Sequence, residues 1–138
     1  MYVVSVQAHY DAAHFLRHYH GKCERLHGHR YVVEVALSAG TLNQAGIAFD
    51  FVDVKRYLKE LADGFDHQNL NEVPPFTEIE PSAENQARFF YEALKRRLPA
   101  AMADALLYAR VWETPTQWAQ FGPSPAPVIG APQPPVVD

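Results

Sequence analysis

The sequence predicts an α+β protein, an antiparallel sheet carrying two helices on one face. Three observations predict it. Alternating apolar segments lie near both ends of the chain, two segments between them repeat apolar residues at helical spacing, and a capping side chain opens each of those segments.

The elements follow in order. "YVVSVQAHY", from Tyr2, alternates well enough for a half-buried strand, and so does "RYVVEVALSA" at 30–39. "GTLNQAG" reads as a turn and "IAF", at 47–49, as the returning strand of a hairpin. Asp50 opens the first helix, accepting hydrogen bonds from free backbone N–H groups while Asp53 adds negative charge at the positive end. Phe51, Val54, Leu58 and Leu61 follow at helical spacing and Gly64 supplies the stop. Residues 65–81 are irregular, because "VPP" and "EPS" exclude regular structure. Ser82 caps the second helix, with Glu84 in its first turn. Ala83, Ala87, Phe90, Leu94 and Leu98 form its apolar stripe and Pro99 closes it. "ALLYARVWET" is the last strand.

The 138 residues suit one domain, placed at residues 1–121. From Gly122 the composition changes to "GPSPAPVIGAPQPPVVD", whose six prolines predict a disordered or extended appendage at 122–138. The lone Cys23 cannot form an internal disulfide and suits a reducing compartment. No cationic region precedes a long apolar run at the N-terminus, and no apolar stretch approaches the roughly 20 residues of a membrane span. The expected location is the cytoplasm. A net charge of −4 argues against a nucleic-acid surface. Locally, however, Arg17, His18, His20, Lys22, Arg25 and Arg30 face only Glu24. Such a patch suits a small anionic ligand, or is a solvated basic loop.

The chemistry concentrates in "CERLHGH", at 23–29. Residues two apart on a strand point the same way, so His27 and His29 present both rings to one face. Imidazole nitrogens are good zinc ligands. His14, in "DAAHFL", reaches them if its strand pairs with the one starting near Arg30. A single histidine on an apolar strand is more often a hydrogen-bonded core group than a ligand; a pair at this spacing behind a cysteine is harder to explain that way. With Cys23 as fourth ligand the site would be closed and structural. With Cys23 beside the metal, a position stays open for substrate, and Lys22 and the dication would favour a thiolate base or nucleophile. Spacing leaves both readings open. In "FDHQNLN", Asp66 beside His67 can form an orienting pair for proton transfer, although adjacent residues often face apart. Glu113, at the end of the last strand, is either solvated or, if buried, an acceptor for two N–H groups of a guanidine-like ligand edge.

Taken together, "AAHFL", "CERLHGH", "FDF", "FDHQNLN", "PSAENQA" and "VWET" resemble the 6-pyruvoyl-tetrahydropterin synthase family, in the family's order and across about residues 3–121. The three-residue gap between Cys23 and His27 is similar to that of the bacterial 6-carboxytetrahydropterin synthase branch of queuosine biosynthesis. The resemblance implies that His14, His27 and His29 hold zinc, that Cys23 is a catalytic proton acceptor, that Asp66 and His67 handle the second proton, and that Glu113 anchors the pterin ring. It implies 7,8-dihydroneopterin triphosphate as substrate, with 6-carboxy-5,6,7,8-tetrahydropterin, acetaldehyde and triphosphate as products and no redox cofactor. It implies the tunnelling fold, whose sheets join into a barrel in a hexamer of two trimers, with sites shared between subunits. Ser82, where many members have threonine, and the proline tail are departures. Two rivals stand beside this reading: a pyruvoyl-forming synthase, and a non-catalytic zinc module with Cys23 as fourth ligand.

Overall fold

In the computed structural model, which describes residues 1–123, the two N-terminal apolar segments form long paired strands. β1 (Tyr2–His14) and β2 (His27–Ala39) run antiparallel in unbroken register, from Tyr2 opposite Ala39 to His14 opposite His27. Side chains alternate along a strand, so even-numbered β1 residues share a face with odd-numbered β2 residues. That face sends Val6, Tyr10 and Ala12, with Tyr31, Val33, Val35 and Leu37, into the core. β4 (Leu106–Thr114) pairs antiparallel with β2 and adds Ala109 and Val111. β5 (Gln117–Phe121) pairs antiparallel with β4. A two-residue β3 (Gln68–Asn69) lies parallel to β1 at the other edge, giving the order β3-β1-β2-β4-β5.

Helices cover the core face. α1 (Phe51–Asp63) is capped by Asp50, whose side chain accepts from the Val52 N–H at 2.9 Å. It buries Val54, Leu58, Leu61 and Ala62. Full burial of an aliphatic side chain such as Val or Leu contributes about 1.5–3 kcal/mol. α2 (Ala83–Arg97) is capped by Ser82 and buries Gln86, Ala87, Phe90, Tyr91, Ala93 and Leu94. One polar residue therefore sits in an otherwise mostly apolar stripe. No helix among the described residues is long and apolar enough to cross a membrane.

Some expectations are corrected. Residues 47–49 are not a returning strand. Asn43 accepts from the N–H groups of Ala45 and Ile47 at 2.9 and 3.0 Å, and its own N–H bonds the Ile47 carbonyl, so the loop satisfies its backbone locally. The hairpin return is instead β5, which follows β4. A short α3 (Ala100–Ala105), begun by Pro99, was not anticipated. Phe51 leaves the buried stripe and is 56% exposed. Gly64 does end α1, as expected, with right-handed φ and its N–H bonded to the Leu61 carbonyl. The predicted proline-rich appendage lies, beyond Pro123, outside the described residues.

Candidate metal centre and active site

The parity that builds the core also builds the site. His14 continues the buried face of β1, His27 and His29 begin that of β2, and Glu113 follows Val111 on β4. The three histidines meet where the sheet leaves the helices. One ring nitrogen from each lies within 4.8 Å of the others. Ring centroids are 4.6 Å apart for His14 and His27, 4.9 Å for His27 and His29, and 5.3 Å for His14 and His29.

Hydrogen bonds fix which nitrogens face inward. The His14 Nδ1 lies 2.7 Å from the Pro81 carbonyl and the His27 Nδ1 lies 2.6 Å from that of Arg25. A carbonyl only accepts, so both rings donate from Nδ1 and turn Nε2 toward each other. Those Nε2 atoms are 3.1 Å apart. In two neutral rings they are facing lone pairs, which repel unless a cation lies between them. Two ligands on tetrahedral zinc stand about 3.4 Å apart, so the spacing suits such an ion. The His29 Nε2 is buried without a partner, one of two buried side-chain polar atoms among the described residues so placed; the other is the Tyr31 hydroxyl. The Tyr31 ring packs edge-on 5.4 Å from that of His29, and its hydroxyl is turned toward Gln86. The donor set thus fits a zinc-like cation.

Electrostatics point the same way. Burial holds the His14 and His29 pKa values below the ordinary imidazole value, outweighing the opposing pull of Glu113. Neutral imidazole is the form that ligates a metal. The Glu113 carboxylate stands 3.8 Å from His14 Nε2 and 3.6 Å from His29 Nε2. Its side chain is a quarter exposed, and it lines a groove of about 470 Å³ with Gly28, His29, Val32, Trp112 and Thr114. Cys23 is half-buried in a short 3-10 turn, Lys22–Glu24, and its carbonyl accepts the Leu16 N–H at 2.8 Å. Its sulfur is not among the atoms that converge within 4.8 Å.

Asp66 and His67 do form a pair, at 2.8 Å. Adjacent residues manage this because His67 adopts φ 59°, the left-handed region. Asp11 clasps the pair: its N–H donates to Asp66 Oδ1 at 2.8 Å and its carbonyl accepts the His67 N–H at 2.6 Å. The Asp11 N–H and then His67 hold the Asp66 carboxyl below its usual range. The structure does not bring this pair to the histidines within one chain. The Asp11 side chain, bidentate with Arg30 at 2.8 Å, points to the sheet face opposite His14, and His67 and Asp66 gather there with it.

The basic segment divides. Arg17 is committed to the carbonyls of Phe76 at 2.7 Å, Ile79 at 3.1 Å and Asn71 at 3.3 Å, and Arg30 to Asp11. Asn71 is a residue the sequence reading missed. Its side chain accepts the Phe15 N–H at 2.9 Å and donates to the Phe15 carbonyl at 3.0 Å, stapling the end of β1 beside His14. The signal for it is its place in "FDHQNLN", four residues after His67.

The profile of the 6-pyruvoyl tetrahydropterin synthase family matches residues 3–124. The chain belongs to that family. Among relatives of the family, a 6-carboxy-5,6,7,8-tetrahydropterin synthase from Aquifex aeolicus is 34% identical over 122 residues, covering 72% of this chain and 75% of that protein. One of the same name from Haemophilus influenzae is 30% identical over 144 residues, covering 88% of this chain and 99% of its own. The solved structure of Caenorhabditis elegans 6-pyruvoyl tetrahydropterin synthase matches with a TM-score of 0.78 at 27% identity, over 90% of this chain and 98% of that one. The sheet with helices on one face is therefore the tunnelling fold of these synthases, and the family and its relatives support a pterin-synthase function.

Proposed function

We propose that this protein is a zinc-dependent carbon–carbon lyase of queuosine biosynthesis. It converts 7,8-dihydroneopterin triphosphate and water to 6-carboxy-5,6,7,8-tetrahydropterin, acetaldehyde and triphosphate. The observation that carries the metal is the facing Nε2 pair at 3.1 Å beside the orphaned His29 Nε2. The three-residue gap after Cys23 and the names of the Aquifex and Haemophilus relatives support the carboxy product.

The proposal assigns each residue a role. His14, His27 and His29 hold the ion. When bound, zinc supplies Lewis acidity to the hydroxyls of the substrate side chain. Cys23, whose sulfur is not among the converging atoms, takes a proton from the side chain as base. Asp66 orients His67 through Nδ1, leaving Nε2 to deliver or remove the second proton. Glu113 accepts the 2-amino and ring N–H groups of the pterin in a paired hydrogen bond. Because Asp66 and His67 face away from His14 in their own chain, the reading has them complete a neighbouring subunit's site in a hexamer of two trimers. Exposed Tyr2, Val3, Leu42, Ile47, Phe51 and Val52 support burial against other copies. The protein acts in the cytoplasm on a small-molecule substrate.

A second reading, pyruvoyl formation, uses the same residues; human 6-pyruvoyl tetrahydrobiopterin synthase is 32% identical over 98 residues, covering 68% of this chain and 66% of that protein. Product masses after incubation with dihydroneopterin triphosphate decide. Acetaldehyde with a carboxypterin supports the proposal and a pyruvoyl product supports the second reading. No turnover by zinc-loaded protein would favour a non-catalytic zinc module. In that case Cys23→Ala should shed zinc along with the sulfur.

A further inference from the structure

A buried amide stands behind the histidine cluster. Gln86 and Tyr10 are fully buried. The Tyr10 hydroxyl donates to Gln86 Oε1 at 2.6 Å, and Gln86 Nε2 donates to the Pro81 carbonyl at 3.0 Å. His14 Nδ1 donates to that same carbonyl at 2.7 Å. Tyr31 stacks on Tyr10 with centroids 5.1 Å apart. The first turn of α2 also bonds the residues on either side of Pro81: Gln86 N–H donates to the Ser82 carbonyl at 2.9 Å, and Asn85 Nδ2 to that of Glu80 at 2.9 Å.

A primary amide in an apolar helix stripe is costly unless it is paired, and here every bond it makes has a direction. The Pro81 carbonyl can only accept, so the amide nitrogen turns to it, and the amide oxygen is left to accept the Tyr10 hydroxyl proton. Pro81 lacks an N–H and has a nearly fixed φ, which limits how its carbonyl can swing. The carbonyl so held can accept from His14 only if the proton is on Nδ1. Its Nε2 is then the lone-pair side, aimed at His27.

We propose that Gln86, oriented by Tyr10, is a positioning residue: through the Pro81 carbonyl it holds His14 in the Nδ1–H tautomer with Nε2 presented to the cation. The proposal rests on the metal reading above and assigns its outer support. Partners of this kind typically govern metal affinity by about 10–100-fold.

The test is the double variant Tyr10→Phe/Gln86→Leu, which removes hydroxyl and amide together and leaves no stranded partner between them. Zinc affinity, by competition with a chromophoric chelator, is expected to fall about 10–100-fold while the metal-free thermal midpoint holds or rises. The ¹⁵N shifts of His14 in metal-free protein are expected to move from the Nδ1–H tautomer to a mixture. Zinc affinity within about twofold of wild type, or an unchanged His14 tautomer, overturns the proposal. If the double variant does not fold, Tyr10→Phe alone, which lacks one oxygen, must move both readouts in the same direction, and no movement overturns it equally. A wild-type protein that binds no zinc sinks the metal reading instead, and the His14 tautomer then still decides the role of Gln86.

Discussion

Replacing His27 with alanine separates the fold from the metal. His27 is half-buried at the rim, and its Nδ1 bond to Arg25 is local. Removing it from metal-free protein deletes one hydrogen bond with a net value of about 0.5–1.5 kcal/mol. It also removes a lone pair held 3.1 Å from another. The two effects oppose, so the metal-free variant should lose about 1 kcal/mol or less, roughly 3–5 °C for a domain of this size. Zinc at 100 times its dissociation constant adds about 2.7 kcal/mol to wild type, roughly 10 °C. The variant keeps two imidazoles and no third ligand, so that increment should vanish. Scanning calorimetry of both proteins, with chelator and with zinc, reads all four midpoints. A His27→Ala protein that still gains the wild-type increment would refute the ligand assignment. A metal-free variant lowered by more than about 10 °C would refute the claim that the core is independent of the site.

Other perturbations separate the remaining roles. Burial lowers the pKa of His14 and His29, so the unfolded chain takes up protons on them first. Metal-free stability should therefore fall as pH drops below the ordinary value of 6.5 toward their lower folded values, and denaturant midpoints across that window in wild type and His29→Ala measure it. Glu113→Ala should weaken pterin binding by about 2–5 kcal/mol, by leaving buried N–H groups unpaired, without loss of zinc; calorimetric titration checks both. Cys23→Ala should keep its full zinc content and lose about 10²–10⁴-fold in rate, and metal analysis beside single-turnover kinetics tells a base from a ligand.

The fold was legible where each local signal agreed with burial. Asp50 and Ser82 cap the helices that follow them, and the alternation in β1 and β2 matches the core parity. It failed where a side chain overrode the pattern. Asn43 turned an apolar "IAF" into a self-bonded loop, and Phe51 kept its helical spacing but lost its place in the core. The histidines were legible because strand spacing fixes which rings share a face. What no spacing reveals is the third dimension of the site. The φ of His67 decides that it meets Asp66, and the alternation at Asp11 decides that the pair faces away from His14. Nothing in the spacing marks Gln86, because its partners, Tyr10 and Pro81, are remote from it or outside its helix.

The site sits at the end of the core, and its histidines and Glu113 continue the strand faces that farther along hold Tyr10, Val33 and Val111. This location explains both its rigidity and its cost. The Tyr31 ring packs edge-on against those of His14 and His29, and the same burial leaves His29 Nε2 without a hydrogen-bond partner. A buried polar atom without a partner is rare in a folded protein, and the His29 nitrogen requires a cause. A packing defect would be relieved by a small rotation. Here the Nδ1 bonds to Pro81 and Arg25 hold the His14 and His27 rings with their free nitrogens turned toward that of His29, a convergence of three acceptors that suits a cation.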